Sequence, residues 1–284
     1  MKFAVTIVSP VGYAHSEAFA ELAETLHHGL RGLGHESVIT RTLRADKHRR
    51  SIILGANILA ALKVAPPPNS VLYNLEQVQV GSQWMTPELL DLFRAWPVWD
   101  YSQRNVEQLA ALGLPRPRLL PIGYAKELTR IAPAPRQDID VLFYGCLNER
   151  RRAVISSLQA RGLNVEVLYS VYGAARDAVI ARSKVVLNVH FYEAKVFEAV
   201  RVSYLLANRK AVVSETGSDP EEEAAFGSGV CFAPYEALVD RCVELVNDEA
   251  RRARLGEQGL KVMSARSEQT YLRAALDAAQ GKAA

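Results

Sequence analysis

One stretch constrains the fold more than any other: Lys184 to Glu215, KVVLNVHFYEAKVFEAVRVSYLLANRKAVVSE. It opens with a short apolar run, Val185 to Val189, broken by one polar residue, and it closes with a second, Ala211 to Val213. Between them Val196, Phe197, Val200, Tyr204 and Ala207 recur at helical spacing, so the segment reads as strand, loop, amphipathic helix, strand. Such a βαβ unit crosses over right-handed, which makes its two strands parallel. Doubly wound parallel sheets bind ligands outside the carboxyl ends of their strands, and the loop NVHFYE lies there, feeding the helix. An anion in that loop meets free backbone N–H groups and the positive end of the helix dipole.

The same alternation runs through the rest of the chain. Lys2 to Val8 reads as a buried strand, followed by the loop Ser9 to Tyr13, a helix from Ser16 to Leu33 stopped by Gly34, and a strand from Ser37 to Thr40. Ile52 to Val64 fits either a strand running into a helix or one helix. After Pro66 to Pro68 comes a strand, Ser70 to Leu75, with Asn74, Glu76 and Gln77 at or just past its end. Thr86 followed by Pro87 is an N-cap with proline at the first helical position, predicting a helix to Trp96. A strand at Val98 to Tyr101, a helix at Asn105 to Leu112 and a strand at Leu119 to Ile122 complete about five βα units.

Ala132-Pro133-Ala134-Pro135 is a stiff joint in this otherwise regular pattern, and we place a linker at 132–137. Beyond it the pattern restarts: strand Asp140 to Tyr144, helix Glu149 to Arg161, strand Val165 to Tyr169, helix Ala174 to Arg182. Then follow the stretch described first and a short strand, Val230 to Phe232. Terminal helices are expected over Tyr235 to Leu255, stopped by Gly256, and over Gln258 to Gln280. The fold class is therefore α/β, with tandem Rossmann-like domains at 1–131 and 138–284.

Composition and motif content disfavour several classes of function. The 284 residues suffice for two such domains, and a net charge of +3 is too small to argue for nucleic acid. Three cysteines, Cys146, Cys231 and Cys242, cannot all pair and lack metal-ligand spacing, which points to a reducing compartment. No long apolar segment is present and Met1 leads directly into a strand, so a cytoplasmic protein with at most peripheral membrane contact is expected. Neither G-x-G-x-x-G nor a Walker-A sequence occurs, which disfavours dinucleotide oxidoreductases and P-loop enzymes. Asp138 and Asp140 form D-x-D, but ahead of a strand rather than after one, so no metal site is assigned.

Each half opens with a strand ending in a glycine-bearing loop, SPVGYAHS and YGCLNERR. In the second loop Gly145 lets the backbone approach a ligand, Asn148 precedes the helix, and Arg150, Arg151 and Arg152 either meet phosphates or form a solvated face. His190 and Glu193 lie in the central loop, while Glu198 and Arg201, three apart on the next helix, can pair on its surface or clamp a ligand. His15 follows the first strand loop and can serve as a general base toward a hydroxyl. Trp84, Trp96 and Trp99 suit either a ligand groove or the core.

Taken together these segments resemble the GT-B glycosyltransferases, in particular bacterial transferases of the "glycosyl transferases group 1" type. LLPIGYAKEL resembles the segment that ends their acceptor domain, VLFYGCLNERR the strand and phosphate loop of their donor domain, and Lys184 to Glu215 their donor-site block. The resemblance implies two Rossmann-like domains facing a central cleft and a sugar moved from a nucleotide-sugar donor to a glycan, lipid or protein hydroxyl. It further implies no metal and no cofactor, a role in polysaccharide biosynthesis, a glycan or lipid-linked acceptor as partner, and no nucleic acid. On the donor side it points to Gly145, Asn148, Arg150, Arg151, His190, Glu193, Glu198 and Arg201; on the acceptor side to Gly12, Tyr13 and Glu76, with His15 or Glu17 as base for an inverting reaction. In a retaining reaction the leaving phosphate takes the proton.

Glu193 matches the first glutamate of the family's paired motif, but Arg201 stands eight positions on, where the second belongs, and Glu198 comes too early. The short amino domain is a second departure. Two other readings keep the scaffold: a non-catalytic nucleotide-sugar-binding or interaction module, and a sugar-nucleotide epimerase.

Overall fold

The structure, a computed structural model, describes residues 1–44, 46–79 and 84–277. The chain divides into two compact units: Met1–Ala125 together with the segment from Arg266 on, and Lys126–Ala265.

The first unit is built on a six-stranded parallel sheet. Its elements are β1 (Lys2–Ile7), α1 (Ala20–Gly32), β2 (Glu36–Thr40), β3 (Arg50–Leu54), α2 (Ala56–Leu62), β4 (Ser70–Asn74), α3 (Pro87–Ala95), β5 (Val98–Asp100), α4 (Gln103–Ala111) and β6 (Arg118–Leu119). The strands lie in the order β2-β1-β3-β4-β5-β6, with Phe3 opposite Arg50 and Ile52 opposite Val71. Phe3, Val5, Ile52, Ile53, Val71 and Leu72 are wholly buried, as continuous apolar runs are when helices cover both faces of a parallel sheet. Thr86 caps α3 by accepting from the Leu89 N–H at 3.3 Å, as its sequence predicts.

Two local expectations change. The helix expected from Ser16 starts as a 3₁₀ turn, Ala14–Phe19, because the Ser16 hydroxyl donates back to the Val8 carbonyl at 2.7 Å instead of capping. The ambiguous stretch 52–64 is a strand followed by a helix, β3 and α2.

The second unit holds β7 (Ile139–Tyr144), α5 (Glu149–Ala160), β8 (Val165–Leu168), α6 (Gly173–Arg182), β9 (Ser183–Asn188), α7 (Ala199–Ala207), β10 (Ala211–Glu215), α8 (Pro220–Phe226), β11 (Cys231–Ala233), α9 (Leu238–Asn247) and α10 (Glu249–Ser264). Its five parallel strands run β11-β10-β9-β7-β8. Val141, Phe143, Val185, Leu187 and Val213 from the sheet pack with Val154, Leu158, Leu238 and Leu245 from α5 and α9. The central helix begins only at Ala199, so Val196 and Phe197 are buried within the loop before it. Helix α8 was not expected. It is seven residues long, capped by Asp219, which accepts from the Glu221 and Glu222 N–H groups.

The terminal helices break in different places from those expected. Asp248 ends α9 and caps α10, accepting from the Arg251 N–H at 2.8 Å. Gly256 is no stop but lies inside α10, where a Cβ would run into the Arg209 carbonyl. The final helix, α11 (Glu268–Asp277), belongs to the first unit: it packs on α1, and Glu268 accepts from the Gly123 N–H at 2.8 Å. The carboxyl domain expected to run to the end of the chain thus stops at Ala265, and the expected linker 132–137 falls within the second unit. Just ahead of that linker Asn208 fastens the chain: its Oδ1 accepts from the Arg130 and Ile131 N–H groups at 2.7 Å each, and its Nδ2 donates to the Leu128 carbonyl at 2.9 Å. Among the described residues no helix is long and apolar enough to cross a membrane.

Candidate functional site

In the second unit the chain leaves β7 through α5 to β8 on one side, then returns through α6 to β9 on the other. The carboxyl ends of β7 and β9 therefore flank the topological switch point, where the loops diverge and a crevice opens. Those loops are 145–148 and 189–198.

Gly145 takes a φ of +133°, and a Cβ there would sit 2.9 Å from an Arg201 terminal nitrogen. Only glycine combines this backbone with room for the arginine. Asn148 caps α5, accepting from the Arg151 N–H at 3.0 Å, and its Nδ2 donates to the Phe191 carbonyl at 3.2 Å. Arg151, buried, gives Nε and Nη2 to the Val189 carbonyl and Nη1 to the Cys146 carbonyl, at 2.9, 2.6 and 2.7 Å. It staples the two loops together. Burial, aided by the neighbouring Arg201 charge, brings its pKa down to about 10.

Arg150 is 38% exposed and lies over the Tyr235 ring, 4.4 Å from its centroid. It reaches both oxygens of Glu215, at 2.6 and 3.3 Å, and donates to the His190 carbonyl at 3.2 Å. Glu215, at the end of β10, is 0% exposed and also accepts from Lys195 Nζ at 3.0 Å and the His190 N–H at 3.1 Å. Burial pushes its carboxyl up, but the hydrogen bonds from Arg150 and Lys195 outweigh that and leave it below the usual carboxylate value.

A second carboxylate, 14% exposed, completes the cluster. Glu198 accepts from Asn188 Nδ2 at 2.8 Å and stands 3.0 Å from His190 Nδ1. Burial raises its pKa, while His190, Arg201 and Asn188 together lower it further, and the balance is a lowered value. His190 is wholly buried, and its Nε2 has no partner among the described residues. Glu198 and Arg201, whose spacing allowed a surface pair or a ligand clamp, are bridged by Asn188, whose Oδ1 accepts from Arg201 at 3.1 Å and whose Nδ2 donates to Glu198 at 2.8 Å.

Gly145, Asn148, Arg150, Arg151, His190, Glu198 and Arg201 thus come together, while Glu193 is exposed on the same loop outside the network. Glu215, Lys195, Asn188 and Tyr235 were not anticipated. Asn188 and Glu215 had a readable signal, since each is the polar residue that closes an apolar strand. The cations Arg150, Arg151, Lys195 and Arg201 outnumber the two carboxylates, leaving a positive surplus at the strand ends.

In the first unit Gly12 and Tyr13 lie in the loop after β1, and His15 and Glu17 in the 3₁₀ segment Ala14–Phe19 that follows. The Tyr13 and His15 rings meet edge-on at 5.4 Å, and both oxygens of Glu17 accept from Arg41 Nη2 at 2.8 Å. Glu76, half-buried past β4, accepts from Asn57 Nδ2 at 2.8 Å, and burial pushes its carboxyl up to about 7. Beside it Asp100 is wholly buried and is likewise pushed up to about 7, despite hydrogen bonds from Asn74, the Ser102 N–H and Asn105. Trp99 is a core residue, 2% exposed. Asp138 and Asp140 each hold a cation, Arg182 at 2.6 Å and Lys184 at 2.7 Å.

No protein-family model matches the chain. Among curated proteins it is similar to three from Acanthamoeba polyphaga mimivirus, L140 and L138 among them. Uncharacterized protein L140 is 26% identical over 191 residues, 63% of this chain and 60% of that one. Uncharacterized protein L138 is 30% identical over 156 residues, 52% and 17%. The chain therefore spans less than two thirds of either relative's length.

Solved structures match almost end to end. Anabaena Alr3699/HepE in complex with UDP-glucose superposes with a TM-score of 0.64 at 12% identity, over 98% of this chain and all of that one. T4 phage BGT in complex with its UDP-glucose substrate gives 0.58 at 15% identity, over 98% and 99%. AviGT4, a glycosyltransferase involved in avilamycin A biosynthesis, gives 0.55 at 15% identity, over 98% and 96%.

Proposed function

We propose, from a chain that has the fold of the GT-B glycosyltransferases, that it moves a sugar from a nucleotide-sugar donor onto a hydroxyl acceptor. The observation that carries this is the surplus of cations gathered around Gly145 at the switch point of the second unit. The donor diphosphate is assigned to these strand ends, against Arg150, Arg201 and Lys195 and the N-termini of α5 and α7. HepE and T4 BGT, which share the fold, bind UDP-glucose, and this supports a uridine diphosphate sugar as the first donor to test.

As the acceptor oxygen bonds to the anomeric carbon, the bond from that carbon to the diphosphate oxygen breaks and negative charge grows on the departing diphosphate. Arginines already held in place stabilise that charge without reorganising, the largest kind of electrostatic contribution to such a step. Glu215 and the Tyr235 ring hold Arg150 in one orientation, and Asn188 does the same for Arg201. With these cations supplying the charge, we read the reaction as metal-independent. The acceptor, a glycan, lipid or protein hydroxyl, is assigned to the first unit, with His15 as base if configuration inverts. Glu17 is less suited, because Arg41 occupies both its oxygens. Surface-polysaccharide synthesis in the cytoplasm is the setting this reading implies.

The test is calorimetric binding of UDP, GDP, dTDP and their glucose derivatives, followed by an assay for release of nucleoside diphosphate with mixed acceptors. Ligand at about 100 times Kd should add roughly 2.7 kcal/mol of stability, readable as a thermal shift. Absence of binding across the panel by folded protein would remove the donor site. The engagement of Glu17 by Arg41 favours a second reading, a nucleotide-sugar-binding module without turnover. Binding with no diphosphate release under any acceptor would select it.

A further inference from the structure

The first unit carries another cavity, of about 660 Å³, lined by Lys2, Lys47, His48, Arg49, Arg50 and Trp96. It lies at the amino ends of that unit's own sheet: Lys2 and Arg50 head β1 and β3, and Ser70, also in its wall, heads β4. The rigid sheet thus fixes its floor. Its volume falls within the range of small-molecule sites.

Its charges are unbalanced. Among the described residues no carboxylate lines the cavity. Glu36, just outside, engages Lys2 at 3.0 Å and also pairs with Arg49, which reaches Asp46 at 3.4 Å. Those two cations are held as wall. Arg50 is half-buried and has no acidic partner among the described residues, and the side chains of Lys47 and His48 likewise have none there. Near Arg50 stands a second guanidinium, Arg118, which donates to the Ala275 carbonyl; burial and the Arg118 charge both lower the Arg50 pKa. Desolvating an unpaired cation close to a like charge is unfavourable, and an anion in the cavity removes the penalty. A guanidinium fork fits phosphate oxygens in pairs, and the Trp96 ring offers a flat apolar wall for a ligand's ring.

We propose that this cavity binds a phosphate-bearing small molecule, with its phosphate on Arg50 and Lys47 and its ring system against Trp96. The site is separate from the donor site and does not depend on the transferase reading. The test is titration calorimetry of the full chain with inorganic pyrophosphate. An Arg150→Ala/Arg201→Ala background removes the second unit's cations, and phosphatidylcholine vesicles doped with phosphatidic acid form a parallel arm.

Saturable pyrophosphate binding in that background is expected, weakened roughly tenfold or more by Arg50→Gln, as loss of a charge-assisted bond implies. Lys47→Glu, on the exposed rim, should weaken it similarly without touching the fold. Vesicle binding that needs Arg50 and Lys47 places the phosphate on a lipid headgroup, whereas pyrophosphate binding alone places it on a soluble ester. Folded protein that binds neither probe, or binds them equally well in both variants, overturns the assignment.

Discussion

Arg150 Nη2 lies 2.6 Å from Glu215 Oε1, a half-exposed cation fixed by a carboxylate that has no exposure at all. The buried partner therefore orients the exposed one. Glu215→Gln should weaken nucleotide-sugar binding about tenfold or more and destabilise the fold by roughly 3 kcal/mol, because Arg150 and Lys195 lose their counter-charge. The sign with pH follows from the lowered Glu215 pKa: its stabilisation is present above the unfolded value of 4.5 and is lost as pH falls through the folded one. Thermal midpoints from pH 7 down to about 3 should fall more steeply for the wild type than for the variant. Parallel curves would remove Glu215 from this role.

Gly145→Ala should act on the site more than on the fold. The φ of +133° is strained for alanine by about 1–3 kcal/mol, and the new methyl must displace Arg201. Donor affinity should drop while far-ultraviolet circular dichroism is unchanged. An unaltered Kd would separate Arg201 from the donor.

Asn208→Ala tests what holds the segment before the proline joint. It leaves two backbone N–H groups and the Leu128 and Tyr204 carbonyls without their partner, so a loss of about 3 kcal/mol is expected in denaturant unfolding. Asn208→Asp keeps the acceptor and should recover part of it. Equal losses in the two variants would contradict the assignment.

Glu268→Gln should stabilise. Burial pushes the Glu268 carboxyl up to about 8, and one of its oxygens is unpartnered among the described residues. A raised folded pKa means that stability present below the unfolded value of 4.5 is lost progressively as pH rises toward 8. The variant, which carries no such charge, should exceed the wild type by about 1–3 kcal/mol at pH 8 and converge with it near pH 4.5. A difference that does not change with pH would rule out the titration.

What could be read from the sequence is what periodicity and caps encode. The strands show as apolar runs, and Thr86 before Pro87 marks its helix start to the residue. The gathering of Gly145, Arg150 and Arg151 was legible because their loop and helix start follow an apolar strand. Legibility failed where a residue's role depends on a distant partner. Gly256 has the look of a stop until Arg209 is seen against it, and Glu198 looks like the mate of Arg201 until Asn188 is found between them. Arg151 has the same chemistry as Arg150, and only burial separates the loop staple from the half-exposed cation.

The return of α11 to the first unit makes the order of synthesis matter. Residues 126–265 are continuous, and that unit has its whole sequence as soon as residue 265 has cleared the ribosome. The part made first must wait longest. Until the segment from Arg266 on arrives, the α1 face it covers and the Gly123 N–H that bonds Glu268 stay open. A chain cut after residue 265 would keep the whole sequence of the second unit and leave the first without the helix that covers α1.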